Sequence, residues 1–74
     1  MSNGNWEIEP EIGQVIGRVA QEHPDEAHEA TKDPAKLKGF FKKYNKGAVV
    51  DILDKHPNTQ EKVRNLVIEA VKKS

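Results

Sequence analysis

Four prolines, at positions 10, 24, 34 and 57, constrain this chain more than any other feature. Proline lacks a backbone N–H and its ring clashes with the preceding turn. It therefore breaks a helix interior yet suits a helix's first position. The chain must fold as short segments that stop ahead of a proline or begin on one.

Between the prolines, apolar residues recur at helical spacing. Glu9-Pro10-Glu11 opens a first helix, with acids in the turn where the helix dipole is positive. Ile12, Val15, Ile16, Val19 and Ala20 then keep the 3.6-residue period until His23-Pro24. Pro24 starts a second, short helix to about Thr31, whose only apolar residues are Ala27 and Ala30. Asp33-Pro34 places a capping acid before an N1 proline, and Leu37, Phe40, Phe41 and Tyr44 form the stripe that follows. Asn45-Lys46-Gly47 is a stop or a turn. Ala48 to Lys55 carries Val49, Ile52 and Leu53 up to the break at His56-Pro57. Asn58-Thr59-Gln60-Glu61 has the spacing of a capping box, and Val63, Leu66, Val67, Ala70 and Val71 give the cleanest amphipathic pattern in the chain. Lys72 and Lys73 suit the negative end of that last helix.

Two segments also read as strands. Trp6-Glu7-Ile8-Glu9 alternates, and Gly47 to Ile52 is rich in β-branched residues. Neither has a partner strand nearby, so extended coil is expected for the first and helix for the second. An echo at a spacing of 33 aligns Ile16, Val19, Ala20, His23 and Pro24 with Val49, Ile52, Leu53, His56 and Pro57. Two copies are too few for a solenoid, and the echo reads as reused corner chemistry.

The expected fold is all-α: a compact bundle of four or five short helices in one domain over residues 1–74, with 1–8 an extended or loosely ordered N-terminal segment. The expected core is Ile12, Val15, Ile16, Val19, Leu37, Phe40, Phe41, Tyr44, Val49, Ile52, Leu53, Val63, Leu66, Val67 and Val71, with Trp6 stapling the N-terminal segment onto it. At 8.3 kDa the chain is near the lower limit for a single hydrophobic core, so modest stability is expected.

Composition removes several function classes. Cysteine is absent, which excludes disulfides, thiolate nucleophiles and cysteine zinc sites. The only serines are Ser2 and Ser74. No phosphate-binding loop motif occurs, and no carboxylate pair lies in an apolar run. His23 and His28 are five apart across a proline, so they do not share the helical face that a zinc site of the H-E-x-x-H type needs. No catalytic residue, metal, cofactor or small-molecule substrate is expected. Neither a signal peptide nor a membrane span is legible, and a cytoplasmic protein is the default expectation.

Two surfaces remain as candidates. Gly13 and Gly17 stand four apart in the first helix, and each costs about 1 kcal/mol against alanine in a helix interior. Small residues let two backbones approach, so a packing partner is expected. Another helix of the same chain is favoured, with a second copy or a target protein as the alternative. On that expectation Gly17→Leu overpacks the contact by roughly 1–3 kcal/mol. Gly39 is read in the same way. The second surface is lysine-rich. Lys36, Lys38, Lys42, Lys43 and Lys46 interleave with Phe40, Phe41 and Tyr44, a pattern able to lie along phosphates. Arginine, the usual base reader, occurs only as Arg18 and Arg64. Zero net charge conceals an asymmetry. Residues 1–30 hold seven acids against Arg18, and residues 31–74 hold eleven bases against five acids.

The run His23-Pro24-Asp25-Glu26-Ala27 followed by Lys38-Gly39-Phe40-Phe41 is similar, at those positions, to the helical tail domain of tRNA-dependent amidotransferases. The later glycine and proline spacing departs from that pattern, and no membership is assigned. The likeness slightly raises the RNA reading. The leading expectation is a small non-enzymatic protein-interaction module, an adaptor, inhibitor or regulatory subunit, bound to a protein partner or to its own copies. The alternative is RNA or DNA binding without sequence choice through the lysine face.

Overall fold

The computed structural model describes residues 9–73. They form five α-helices, α1 (Pro10–Glu22), α2 (Pro24–Ala30), α3 (Pro34–Lys43), α4 (Gly47–Lys55) and α5 (Gln60–Lys73), with a 3₁₀ turn at Pro57–Thr59 leading into α5. No strand occurs among the described residues, so the fold is the small all-α bundle that the periodicity predicts. The expectations for Trp6 and for the stretch ahead of Glu9 lie outside the described residues.

Each proline opens a helical element, and the residue before it turns the chain. Glu9 is extended and its carbonyl accepts from the Gly13 N–H at 2.9 Å. Asp33 is also extended, and its Oδ1 accepts from the Ala35 N–H at 2.8 Å, as expected of a capping acid. His23 (φ −135°, ψ 63°) and His56 (φ −131°, ψ 74°) adopt nearly the same backbone. Their N–H groups close the preceding helices onto the carbonyls of Val19, at 3.1 Å, and Ile52, at 2.8 Å. Val19 and Ile52 are matched positions of the 33-residue echo, so the echo is a corner used twice.

The second corner continues differently. Pro57 starts a 3₁₀ turn, and the Thr59 hydroxyl donates to the His56 carbonyl at 2.6 Å. Asn58 therefore lies inside this turn rather than capping α5, and buried Thr59 makes the side-chain bond. The stop after α3 rests on Asn45, whose φ of 61° lies in the left-handed region. The Lys46 N–H reaches the Phe41 carbonyl at 2.8 Å and the Asn45 N–H reaches that of Lys42 at 3.2 Å, the paired closure of a Schellman end.

The core is one cluster: Ile16, Val19, Ala20, Ala27, Ala30, Leu37, Phe40, Phe41, Val49, Val63, Val67 and Ala70. Ile12, Tyr44, Leu53, Leu66 and Val71 pack against it half-buried, and Ile52 is half-buried too. Val15 is a correction to the expected core, since it remains 37% exposed. It sits about 100° around the helix from Ile16, on the flank facing Lys46 rather than the core. Four alanines take places that the larger residues were expected to fill. α2 buries only Ala27 and Ala30, so against α3 and α5 it contributes only small side chains to the core.

Candidate functional site

Among the described residues, the glycines of α1 have no close neighbour at the side-chain position. A Cβ built on Gly13 or Gly17 meets nothing within 4 Å among the described residues. No described helix comes within 4 Å of a Cβ at either position. The physical reason is angular. Ile16, Val19 and Ala20 are buried in the core, and the two glycines fall beside that stripe, with Gly13 on the α5 side. Gly13 borders a groove with Pro10 on one wall and Lys62, Asn65, Leu66 and Glu69 of α5 on the other. Gly39 is open in the same way, on the outer back of α3 next to exposed Ala35 and Lys38.

The five lysines do not form one face. At about 100° per residue, Lys36 and Lys43 fall on one side of the buried stripe of Leu37, Phe40 and Phe41, and Lys38 and Lys42 fall on the other. Lys43 turns toward α2, where its Nζ donates to Glu26 Oε2 at 2.6 Å. Lys38 turns toward α4 and pairs with Asp54. Lys36 and Lys42 are exposed, and half-buried Lys46 faces Val15, Arg18 and Glu22 of α1. Sequence spacing placed the lysines near one another but held no information about Glu26 and Asp54, which come from other helices.

A cluster at the α1–α2 corner went unread in the sequence. The imidazole of His23 stacks on the Tyr44 ring, with centroids 3.9 Å apart and planes 16° from parallel. The Tyr44 hydroxyl donates to Glu26 Oε1, and Phe40 meets Tyr44 edge-on at 5.3 Å. Glu26 thus accepts from Lys43 and Tyr44 together. The Lys43 hydrogen bond, then that of Tyr44, holds its carboxyl below the usual range. The same carboxylate raises Lys43, by their hydrogen bond, and raises Tyr44, whose phenol keeps its proton to serve as donor. The cluster ties α1, α2 and α3 into one corner. The only hint in the sequence was a tyrosine two positions ahead of the α3–α4 linker's end.

The pH dependence follows from these directions. Glu26 is depressed, so its contribution to stability is present above the ordinary glutamate value, about pH 4, and is lost as pH falls through the lower folded value. Lys43 and Tyr44 are raised, so theirs is complete below about pH 10 and fades as pH rises through their folded values. Thermal melts of the parent and of Glu26→Gln are expected to differ at neutral pH and to converge in strong acid. A gap that persists in strong acid assigns the effect to packing instead. All three side chains are solvent-accessible, so screening by salt should shrink the difference.

No group of three or more metal-binding side chains occurs among the described residues. No described helix is long and apolar enough to cross a membrane. Comparison with protein families, with characterised proteins and with solved structures finds no match to this chain. The short likeness to the amidotransferase tail domain therefore carries no further argument.

Proposed function

We propose that this protein is a small non-enzymatic interaction module, an adaptor, inhibitor or regulatory subunit, that receives a partner helix on the glycine side of α1. One observation carries the reading. Gly13 and Gly17 each weaken α1, and no described residue of the chain fills the space above them. Small residues beside an open groove permit backbone approach that any larger side chain blocks. The partner is a protein or a second copy of the chain.

The test uses Gly17→Leu. Open space above this position means that the variant, taken alone, should melt at or above the parent, because leucine is the better helix former by roughly 0.8 kcal/mol. That is the opposite sign to the overpacking expected from the sequence. Light scattering after size exclusion, at low and high salt, reports self-association. Affinity capture with the two forms reports other partners. A complex formed by the parent and lost in the equally folded variant supports the reading, whereas one that survives Gly17→Leu and Gly13→Leu rejects it.

The second reading, nucleic-acid binding, is favoured by Lys36 and Lys42, which are exposed and form no ion pair within 4 Å among the described residues. Neutralising Lys36, Lys42 and Lys46 spares the two pairs that join helices. It should flatten the salt dependence of RNA binding by roughly three phosphate contacts. No mobility shift at about 50 mM salt and high micromolar protein eliminates this reading.

A further inference from the structure

The lysines of α3 stand on two edges, and carboxylates from a neighbouring helix meet each edge. On the α2 side Lys43 donates to Glu26, and Glu29 accepts from Lys32 within reach of the Lys36 charge. The Lys32 hydrogen bond first, and the Lys36 charge after it, hold the Glu29 carboxyl below its ordinary range. On the α4 side Lys38 pairs with Asp54, and Lys42 shares a hollow with Asp51 and Asp54. On both edges the acid number falls as the lysine number rises. The carboxylates therefore form two rows, each antiparallel to α3.

These acids stand on helices with little hold on the core. α2 buries only Ala27 and Ala30, and α4 buries only Val49. The side chains of Lys38 and Asp54 are 46% and 50% exposed, and those of Lys43 and Glu26 are 62% and 43% exposed. Water solvates the separated partners of such a pair nearly as well as they solvate each other, so another anion can take the place of the carboxylate at small cost. A phosphate chain gains most by that exchange. It presents its charges in a row, and each lysine it meets releases a condensed counterion. A lone carboxylate does neither.

We propose that Glu26 and Asp54 take the place of nucleic-acid phosphates on α3, an autoinhibitory contact that withholds Lys43 and Lys38 and leaves Lys36, Lys42 and Lys46 to the resting protein. The inference rests on the nucleic-acid reading and adds its regulation: the acids of α2 and α4 set how tightly the chain holds a phosphate backbone.

The test is binding of a labelled oligouridylate to the full chain over a range of salt. Glu26→Gln/Asp54→Asn should bind about 25-fold more tightly than the parent at about 0.1 M salt, since two added single-strand contacts each contribute a slope of about −0.7. The salt dependence should steepen from roughly three contacts to roughly five, and the gain should vanish toward about 1 M salt. Glu61→Gln/Glu69→Gln, at exposed positions of α5, makes the same change in net charge and should gain far less. Circular dichroism checks that each variant stays helical. If the first double variant does not fold, Asp54→Asn alone, which leaves the Tyr44 corner whole, should gain about fivefold. A gain in the folded variant no larger than that of the α5 control overturns the proposal, and parent binding then leaves the nucleic-acid reading standing. No shift by any of these proteins at about 50 mM salt overturns both. An equal gain toward poly-glutamate also overturns the proposal, by assigning the surface to an acidic protein.

Discussion

Phe41→Ala is expected to leave the protein largely unfolded at physiological temperature. Phe41 is fully buried and is among the largest side chains in the core, and its ring meets Phe40 edge-on with centroids 5.2 Å apart. Removing a buried phenylalanine costs about 3–5 kcal/mol, part from lost transfer free energy and part from the cavity left behind. A domain of this length commonly has only about 4–11 kcal/mol in total, and small domains fall toward the lower end because they bury less of their surface. At about 4–8 °C per kcal/mol for such a domain, a loss of about 3–5 kcal/mol should lower the melting temperature by about 12–40 °C. Phe41→Leu, which keeps much of the volume, should lie between the two. Circular dichroism melts check this, and a Phe41→Ala protein that melts within a few degrees of the parent would show that the α3 stripe is not the centre of the core.

Ala27→Leu is expected to destabilise the protein too, by less and through the opposite fault. Ala27 is fully buried on α2, a helix that lies against both α3 and α5. Three added carbons there have no space, and overpacking of this kind costs about 1–3 kcal/mol. It should also loosen the corner that Glu26, Lys43 and Tyr44 hold together, because α2 would be pushed away from α3. Ala35→Leu, on the exposed outer side of α3, is the control and should be tolerated. Urea unfolding of both variants separates crowding from a general intolerance of leucine. Equal midpoints for Ala27→Leu and the parent would mean that α2 is free to move outward.

Proline and periodicity by themselves determined the helices of this protein. Pro10, Pro24, Pro34 and Pro57 each open an element, because the missing N–H and the fixed φ act within one turn and need no tertiary partner. The His23 and His56 corners, the Asp33 cap and the stop at Asn45 are equally local, and the all-α class follows from them. Only the tertiary structure decided what depends on distance between helices. Alanines rather than valines line α2 because that helix packs close, and hydrophobicity alone ranks alanine too low to reveal it. Val15 keeps the period of the α1 stripe yet lies on its flank, since the width of the stripe is set by the neighbours and not by the repeat. Glu26 and Asp54 reach Lys43 and Lys38 from other helices, so a run of lysines adjacent in sequence becomes two separated edges. The spacing of Gly13 and Gly17 favoured an internal contact, with a second copy or a target protein as the alternative. Their place just beside the core stripe leaves them without a close neighbour among the described residues, because a helix turns about 100° per residue and one residue's shift moves a position off the core face.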